Sequence, residues 1–398
     1  MSTDLTRTTW SFPTTLRFGK GVVDEMGALL KERGVGCPLL VTDRGVAALP
    51  IFERLRAVLS AAEVPYTVYG ELDPNPHSEH VSAGAEAFRS GSCDSVVGFG
   101  GGSALDAAKA IAVVGRHEGS ILDYDAAKEG WTKIDAAKVP PILAVPTTAG
   151  TGSEVGRSAV ITCVKTEKKR FIFSPALMPS VALLDPELTL ELPPGVTAAT
   201  GMDALSHCIE SYLSPVFHPY CDSIAIGGIG LIARSLERAV HDGQEDLEAR
   251  ADMLIAASMG ATAFQKDLGA THALAHPLSS IAGVPHGTAN GMMLARVMRF
   301  NVAAVPERLV FVGEALRPLG LGSEGKGGDT TLARAQAACE AVAELARRIG
   351  IPQRLGKVGV DEDMLEPLAR AAFDDPCHKT NPRKCTYEDL LGLYREAL

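Results

Sequence analysis

The stretch SVVGFGGGSALDAAKA (95–110) runs from an apolar, uncharged segment through a glycine-rich turn into a helical pattern. Backbone amides at the start of a helix, left open where the residues are glycine, are suited to hold a pyrophosphate. The turn has the pattern GxGGGS instead of GxGxxG and follows the third predicted strand, so it could also serve the fold alone. It predicts an open α/β sheet with a candidate nucleotide site.

Apolar strands and amphipathic helical patterns alternate around this turn. The other strand-like runs are CPLLVTD (37–43), PYTVYG (65–70) and PILAVP (141–146). Uncharged strands in such an alternation indicate a parallel sheet that helices cover on both faces. We therefore predict an α/β domain with a parallel, Rossmann-like sheet over residues 1–191.

The character of the sequence changes after Leu192, where Pro193 and Pro194 follow. Residues 192–398 contain long helical patterns such as VTAATGMDALSHCIESYL and few strand-like runs, which predicts an all-α second domain. A chain of 398 residues is long for one hydrophobic core, so two domains are expected. Within the second domain, EGKGGD (324–329) is expected to be an exposed loop between helices.

Composition argues against several classes of protein. The chain is 46% hydrophobic and 22% charged with a net charge of −10, and its basic run is Lys168-Lys169-Arg170, so nucleic-acid binding is not expected. It shows neither a signal-peptide pattern nor an apolar stretch of about 18 residues, so we expect a cytoplasmic protein without membrane contact. Its eight cysteines form no C-x-x-C pair and are expected to be reduced thiols.

One aspartate and several histidines of the second half have the spacing of metal ligands. Asp203 and His207 are four residues apart in one helical pattern, as are His272 and His276 in another, and His286 follows. Side chains at i and i+4 lie on one helix face and can point at one atom. One carboxylate and three nitrogens suit iron(II) or zinc. A single histidine of this kind could equally be a hydrogen-bonded core residue, but the combination favours a metal centre. Spacing leaves open whether His276 is a further ligand or moves protons beside the metal.

Two further features bear on a nucleotide. PTTAGTGSE (146–154) is a second turn of small and hydroxyl residues directly after a strand, where ligands of open α/β sheets bind. Asp43 ends the first predicted strand, and its carboxylate could accept hydrogen bonds from a ribose diol or could cap a helix. The sequence lacks G-x-x-x-x-G-K-[ST], which argues against a P-loop nucleotidase.

Four motifs closely resemble those of the iron-containing (group III) alcohol dehydrogenases: GGGSALDAAK, PTTAGTGSEV, GMDALSHCIE and HALAHPLSSIAGVPHGTAN. The resemblance extends from FGKG (18–21) to TNPR (380–383). It implies a dehydroquinate synthase-like architecture, in which a dinucleotide-binding domain and a helical domain enclose the active site. It also implies NAD and Fe²⁺ (or Zn²⁺) as cofactors and a homodimer or larger homo-oligomer.

The same resemblance assigns roles to residues of this sequence. The implied metal ligands are Asp203, His207, His272 and His286, with His276 as a non-ligand histidine near the nicotinamide. Asp43 matches the aspartate that favours NAD over NADP. The other implied cofactor contacts are Gly100, Gly101, Gly102 and Ser103 for the pyrophosphate, and Thr147, Thr148, Thr151, Asn75, Lys169 and Leu184 elsewhere.

Two departures from the family pattern bear on the substrate. After GSEV the family usually carries Thr-Asn, whereas this chain has Gly156-Arg157, and His378 and Lys379 precede TNPR. Both departures add positive charge near the implied pocket, and the pattern resembles the 4-hydroxybutyrate dehydrogenase branch. The planar fork of an arginine suits a carboxylate, although Arg157 could instead face solvent or the cofactor phosphates.

These observations lead us to expect an NAD-dependent, metal-dependent dehydrogenase for a primary alcohol. The expected substrate is a short ω-hydroxy acid such as 4-hydroxybutyrate, with succinate semialdehyde as the product. The alternative is a general dehydrogenase for short alcohols or diols of the 1,3-propanediol, lactaldehyde or glycerol type. Dehydroquinate synthase shares the implied architecture, but the helical half shows no strong basic cluster for a phosphate. A non-catalytic nucleotide- or metal-binding module is a more remote alternative.

Overall fold

The computed structural model describes residues 10–12, 14–164, 168–320 and 330–398, so the expected loop EGKGGD (324–329) lies outside the described residues. Within them the chain forms two compact units. The first, called the sheet unit, comprises Pro13–Thr148 and Gly152–Thr189. The second, called the helical unit, comprises Met1–Phe12, Ala149–Thr151 and Leu190–Leu398. Ala149–Thr151, which the sequence placed in the first domain, therefore belongs to the helical unit.

The sheet unit is built on a parallel sheet with the strand order β1-β8-β5-β4-β2-β3, and β6 and β7 form a separate antiparallel ribbon. The strands are β1 (Thr15–Phe18), β2 (Pro38–Asp43), β3 (Thr67–Leu72), β4 (Ser95–Gly100), β5 (Ile142–Pro146), β6 (Ser158–Cys163), β7 (Lys168–Phe173) and β8 (Val181–Leu184). The helices of this unit are α1 (Met26–Glu32), α2 (Arg44–Ala47), α3 (Pro50–Ala61), α4 (Ser78–Ser90) and α5 (Gly102–Val114).

Alternate residues of the central strands pack on opposite faces of this sheet. Val96 of β4 belongs to a buried cluster with residues of α4 and α5, whereas Val97 belongs to a cluster with residues of α1 and α3. Successive side chains of a strand point to opposite faces, so a strand covered on both sides needs apolar residues throughout. The predicted fold class is confirmed.

The strand order reverses direction between β2 and β4. β2 leads through α2 and α3 to β3 on one side, whereas β4 leads through α5 to β5 on the other. The two strands are direct neighbours in parallel register. Ligands of open parallel sheets bind outside the carboxyl ends of the strands at such a reversal. Those ends are Asp43 and Gly100 here, so the fold itself marks a ligand site at the glycine-rich turn.

The helical unit has one large core to which all of its long helices contribute. No helix of the described residues combines the length and the apolar character needed to cross a bilayer. The helices are α6 (Pro194–Leu213), α7 (Pro219–His241), α8 (Leu247–Ala263), α9 (Ala270–Ser280), α10 (His286–Asn301), α11 (Pro306–Ala315), α12 (Thr331–Arg348), α13 (Glu362–Asp374) and α14 (Tyr387–Ala397).

Candidate functional site

Three helices of the helical unit bring the sequence-predicted metal ligands together. Asp203 and His207 lie one turn apart on α6, His272 lies near the start of α9, and His286 is the first residue of α10. Asp203, His207 and His272 are buried, whereas the His286 side chain is 28% exposed. The cluster is therefore enclosed on the side of α6 and α9 and open beside His286, where a substrate could enter.

The ligand atoms of Asp203, His207 and His272 lie within 4.8 Å of one another, and Nε2 of His286 lies close to Asp203. The Nε2 atoms of His207, His272 and His286 lie 3.8, 3.6 and 3.4 Å from Oδ1 of Asp203. A tetrahedral centre with bonds of about 2.1 Å has its ligand atoms about 3.4 Å apart. One oxygen and three imidazole nitrogens also suit iron(II) or zinc. The residues present thus fit the divalent metal that the sequence predicts.

Glu210 orients His272 and is a site residue that the sequence analysis missed. Its Oε2 lies 2.5 Å from Nδ1 of His272, and its Oε1 accepts a hydrogen bond of 2.6 Å from the backbone N–H of Thr271. The carboxylate thus caps the start of α9 and keeps the proton of His272 on Nδ1, which leaves Nε2 as the metal-binding atom. The missed signal was its spacing, since Glu210 lies three residues after His207 on the same helix face.

Electrostatics favour a cation among these side chains. Burial raises the pKa of Asp203, but His207, His286 and His272 outweigh it and leave the pKa well below its ordinary value. Burial lowers the pKa of His207 to about 4. Burial also lowers the pKa of His272, yet the carboxylates of Asp203 and Glu210 outweigh it and raise the pKa to about 9. His272 therefore holds a second proton at neutral pH, and a divalent cation bound at its Nε2 would replace that proton beside the two carboxylates.

A glycine lets α10 approach α6 closely at the cluster. A Cβ atom at Gly287 would lie 2.1 Å from the backbone oxygen of Ala199. Only glycine therefore allows this contact, which holds His286 beside the two ligands of α6. One turn further along α10, the Asn290 amide donates a hydrogen bond of 2.7 Å to Oδ1 of Asp203.

His276 lies next to the cluster but has a carboxylate partner of its own. Its Nδ1 lies 2.7 Å from Oδ2 of Asp375, and its ring is stacked on that of His286 with centroids 5.3 Å apart. The structure thus places the two histidines of α9 side by side, each against a different carboxylate. The sequence analysis did not find Asp375, which follows His276 by 99 residues.

The glycine-rich turn of the sheet unit has the geometry of an anion site. Gly101 caps α5, and Gly102 and Ser103 form its first turn, where backbone N–H groups and the helix dipole attract a phosphate. Gly100 has a φ of 144°, and a Cβ there would lie 3.4 Å from Oδ2 of Asp43. A side chain at this position would be strained and would occupy the space in front of Asp43.

Other candidate cofactor residues gather at the same turn. The backbone N–H of Thr147 donates to the oxygen of Gly100 over 3.0 Å, and that of Asn75 lies 3.4 Å from Oγ of Ser103. A Cβ at Gly101 would lie 3.3 Å from Oγ1 of Thr148. These contacts place the candidate residues of β4, β5 and the segment after β3 together.

Asp43 and the remaining cofactor candidates lie on different elements of the chain. Asp43 caps α2, since its Oδ1 accepts a hydrogen bond of 2.9 Å from the N–H of Val46. Leu184 ends β8, and Lys169 lies on β7 of the ribbon opposite Thr162. Thr151 belongs to the helical unit. The cofactor roles of these residues stay predictions.

A buried ion pair that the sequence analysis missed fastens the segment after the second turn. The ammonium of Lys109 donates to Oγ of Ser153 over 2.7 Å and to the oxygen of Ser158 over 3.0 Å. Ser153 in turn donates to Oδ1 of Asp106 over 2.6 Å. Burial outweighs the attraction of Asp106 and lowers the pKa of Lys109 to about 8. The network ties α5 to β6.

The candidate substrate residues lie in both units. The guanidinium of Arg157, in the sheet unit, lies over the ring of Phe173, 4.8 Å from its centroid. His378 of the helical unit is buried, and its Nε2 lies 2.9 Å from the backbone oxygen of Phe373, so that nitrogen already has a partner. Lys379 is exposed. Their substrate roles stay predictions.

Comparison with known proteins identifies the family. A family model described as iron-containing alcohol dehydrogenase matches residues 13–186, and one for the C-terminal part of the same family matches residues 197–398. A 4-hydroxybutyrate dehydrogenase of Cupriavidus necator is 38% identical over 394 residues, which is 97% of this chain and 98% of the relative.

Solved structures show the same likeness. A 1,3-propanediol oxidoreductase superposes with a TM-score of 0.92 at 35% identity, covering 98% of this chain and 100% of that one. A sulfoacetaldehyde reductase from Bifidobacterium kashiwanohense, solved in complex with NAD⁺, superposes with a TM-score of 0.87 at 33% identity over 98% of this chain and 99% of that one. The resemblance, the enzyme class and the cofactors expected from the sequence are thereby confirmed. This chain belongs to the iron-containing alcohol dehydrogenase family and is an NAD-dependent, metal-dependent oxidoreductase of alcohols or diols.

Proposed function

We propose that this chain interconverts the primary alcohol of a short ω-hydroxy acid and the corresponding aldehyde, with NAD as the hydride carrier. The leading pair is 4-hydroxybutyrate and succinate semialdehyde. The observation that carries the alcohol chemistry is the convergence of three imidazole Nε2 atoms on Oδ1 of Asp203, at 3.4 to 3.8 Å. The preference for a carboxylate is supported by Arg157 and by the similarity to a 4-hydroxybutyrate dehydrogenase.

Asp203, His207, His272 and His286 would hold the iron. Bound iron(II) supplies Lewis-acid chemistry, which favours loss of the alcohol proton in one direction and polarises the aldehyde in the other. Glu210 would orient His272 for this purpose, because it accepts the Nδ1 proton and leaves Nε2 as the atom that can bind the metal.

The remaining groups handle the proton and the dinucleotide. Bound NAD would supply the hydride acceptor for the alcohol carbon, and His276 would take the hydroxyl proton and pass it to water, so that aldehyde, NADH and one proton would result. Gly101, Gly102 and Ser103 would hold the pyrophosphate at the start of α5. The carboxylate of Asp43 would accept hydrogen bonds from the ribose and repel the 2′-phosphate of NADP.

Arg157 would bind the far carboxylate of the substrate. The ring of Phe173 holds one face of the guanidinium, and such a contact leaves the N–H edge available for two parallel hydrogen bonds. A carboxylate can accept two parallel hydrogen bonds from this planar edge, whereas a hydroxymethyl end can accept only one and a methyl end none.

A substrate panel tests the proposed function. We expect NADH formation from 4-hydroxybutyrate to exceed that from 3-hydroxypropionate, 1,3-propanediol, glycerol and 1-butanol in kcat/KM, with iron(II) added and with NAD preferred over NADP. His272→Ala should lose both bound iron and turnover. A His272→Ala protein that keeps full activity without metal would refute the alcohol chemistry.

The carboxylate preference is tested at Arg157. Arg157→Ala should raise KM for 4-hydroxybutyrate at least about tenfold, the equivalent of about 1.4 kcal/mol, with little change for 1-butanol. Arg56→Ala, a change at an exposed arginine of α3, serves as the control. An equal increase in KM for 4-hydroxybutyrate and for 1-butanol would contradict binding of the carboxylate by Arg157.

A diol dehydrogenase is the second candidate. It is favoured by the similarity to a 1,3-propanediol oxidoreductase at a TM-score of 0.92. In that case 1,3-propanediol would be the best substrate of the panel, and Arg157→Ala would leave its kcat/KM unchanged.

A further inference from the structure

Each of the two histidines of α9 is held by a carboxylate at its Nδ1 atom. Nδ1 of His272 lies 2.5 Å from Oε2 of Glu210, and Nδ1 of His276 lies 2.7 Å from Oδ2 of Asp375. The two histidines are one helical turn apart and so share a helix face. Since each carboxylate accepts the Nδ1 proton, each imidazole has its Nε2 atom on the side of the ring away from its carboxylate. For His272, this Nε2 atom is one of the expected metal-binding atoms.

A backbone hydrogen bond fixes the position of Asp375 independently of His276. It caps the short 3₁₀ helix Pro376–Thr380, and its Oδ1 accepts a hydrogen bond of 2.8 Å from the N–H of Cys377. Its side chain is 11% exposed and that of His276 is 18% exposed. Burial raises the pKa of Asp375, but the hydrogen bond and charge of His276 outweigh it, so the carboxylate stays ionised. Each oxygen of this carboxylate therefore has a defined partner.

The ring of His276 is also held from the side. It is stacked on the ring of His286, with an angle of 12° between the planes and centroids 5.3 Å apart. A ring held at Nδ1 and along one face has a single orientation, which is what a proton acceptor with a fixed direction needs.

We propose that Asp375 is a positioning residue for the reaction: it holds His276 as the Nδ1–H tautomer, so that Nε2 exchanges the proton with the substrate oxygen. In the oxidation the substrate O–H bond breaks and an Nε2–H bond forms. Asp375 compensates the charge of the resulting imidazolium without taking a proton itself, and the proton then leaves to water. In the reduction the same proton returns to the oxygen. This inference rests on the proposed function, and it adds a residue that touches neither substrate nor metal.

The decisive variant is Asp375→Asn, because an amide oxygen can still accept the Cys377 hydrogen bond while the negative charge is lost. We expect kcat to fall about 10- to 100-fold, with KM for alcohol and NAD and the iron content close to those of the wild type. Asp375→Glu should restore part of kcat. Asp374→Asn, an exposed aspartate at the end of α13, is the matched control and should behave as the wild type.

Two readouts separate positioning from a general structural effect. In Asp375→Asn the solvent deuterium isotope effect on kcat should rise, because proton transfer becomes slower than hydride transfer. In zinc-loaded protein with ¹⁵N-labelled histidine, NMR should show His276 as the Nδ1–H tautomer in the wild type and as a mixture in the variant.

Three results would overturn the inference. Wild-type kcat in Asp375→Asn, with His276→Ala inactive, would remove Asp375 from the mechanism and leave the proposed function intact. Loss of iron in Asp375→Asn would assign the carboxylate to the metal centre. A second bound metal equivalent that disappears in Asp375→Asn would show that His276, Asp375 and Cys377, whose ligand atoms lie within 4.8 Å of one another, are a cation site instead.

Failure of the proposed function has a different signature. It would appear as full activity in His272→Ala, or as an inactive wild type on every alcohol of the panel, whatever the behaviour of Asp375→Asn.

Discussion

Glu210 on α6 accepts the Nδ1 proton of His272 on α9 over 2.5 Å, and this contact joins the packing of two helices to the chemistry of a metal ligand. The same carboxylate caps the start of α9 through the N–H of Thr271. One side chain therefore sets both the position of the helix and the tautomer of its ligand.

Glu210→Gln should weaken metal binding. The amide can still accept one hydrogen bond but no longer carries the charge that makes His272 a strong ligand, so iron(II) or zinc affinity should fall about 10- to 100-fold. Metal titration followed by elemental analysis measures this change. Glu248→Gln, a change at an exposed glutamate of α8, should leave the affinity unchanged, and an equal affinity in both variants would contradict the role of Glu210.

Gly287→Ala should disrupt the metal centre by displacing a helix. The added Cβ would meet the backbone oxygen of Ala199 at 2.1 Å, so α10 must move away from α6 and take His286 with it. We expect a loss of about 1 to 3 kcal/mol in the free energy of unfolding, together with reduced iron retention. Thermal unfolding and metal content report the two effects. Gly195→Ala on α6, where nothing lies within 4 Å of the new Cβ, should change neither.

Asp43→Ser should relax the choice of dinucleotide. Serine can still cap α2 through Val46 but has no charge to repel a 2′-phosphate. A like-charge repulsion of about 1 to 2 kcal/mol would then disappear, so kcat/KM with NADP relative to NAD should rise about tenfold or more. Asp135→Ser removes the charge of another aspartate that accepts a hydrogen bond from a backbone N–H. In this variant the ratio of kcat/KM with NADP to that with NAD should stay that of the wild type.

The buried Lys109 should make its contribution to the free energy of unfolding increase with pH between about 8 and 10.5. Its pKa is about 8 in the folded chain against 10.5 ordinarily, so between these pH values the unfolded chain holds one proton more. The contribution of this group to the free energy of unfolding therefore rises with pH across that window, by up to about 3 kcal/mol. Denaturant unfolding of the wild type and of the Asp106→Asn, Lys109→Met double variant isolates it from other titrating groups. A difference between the two proteins that stays flat from about pH 8 to 10.5 would contradict the prediction.

The sequence predicted the elements with strong periodicity. CPLLVTD and PILAVP became β2 and β5 because uncharged apolar runs of that length have few stable alternatives to a covered parallel strand. β1, with the sequence TLRF, was missed because it is largely exposed and carries an arginine. β7 was not predicted as a strand, because KKRFIF begins with three basic residues and was interpreted as a basic run.

The candidate site was predictable where its residues are close in sequence and not where they are far apart. The pairs Asp203 with His207 and His272 with His276 follow from helical spacing alone. Asp375 could not be found this way, because only tertiary packing brings it to His276 across 99 residues of chain. Glu210 was within reach of the same periodicity argument that found His207.

The distribution of the site along the chain also sets the order in which its residues are synthesised. All four expected ligands are translated once His286 has been made, whereas Asp375 emerges from the ribosome only after α11, α12 and α13. The proposed proton-handling pair can therefore be completed only after nearly the whole chain has been synthesised.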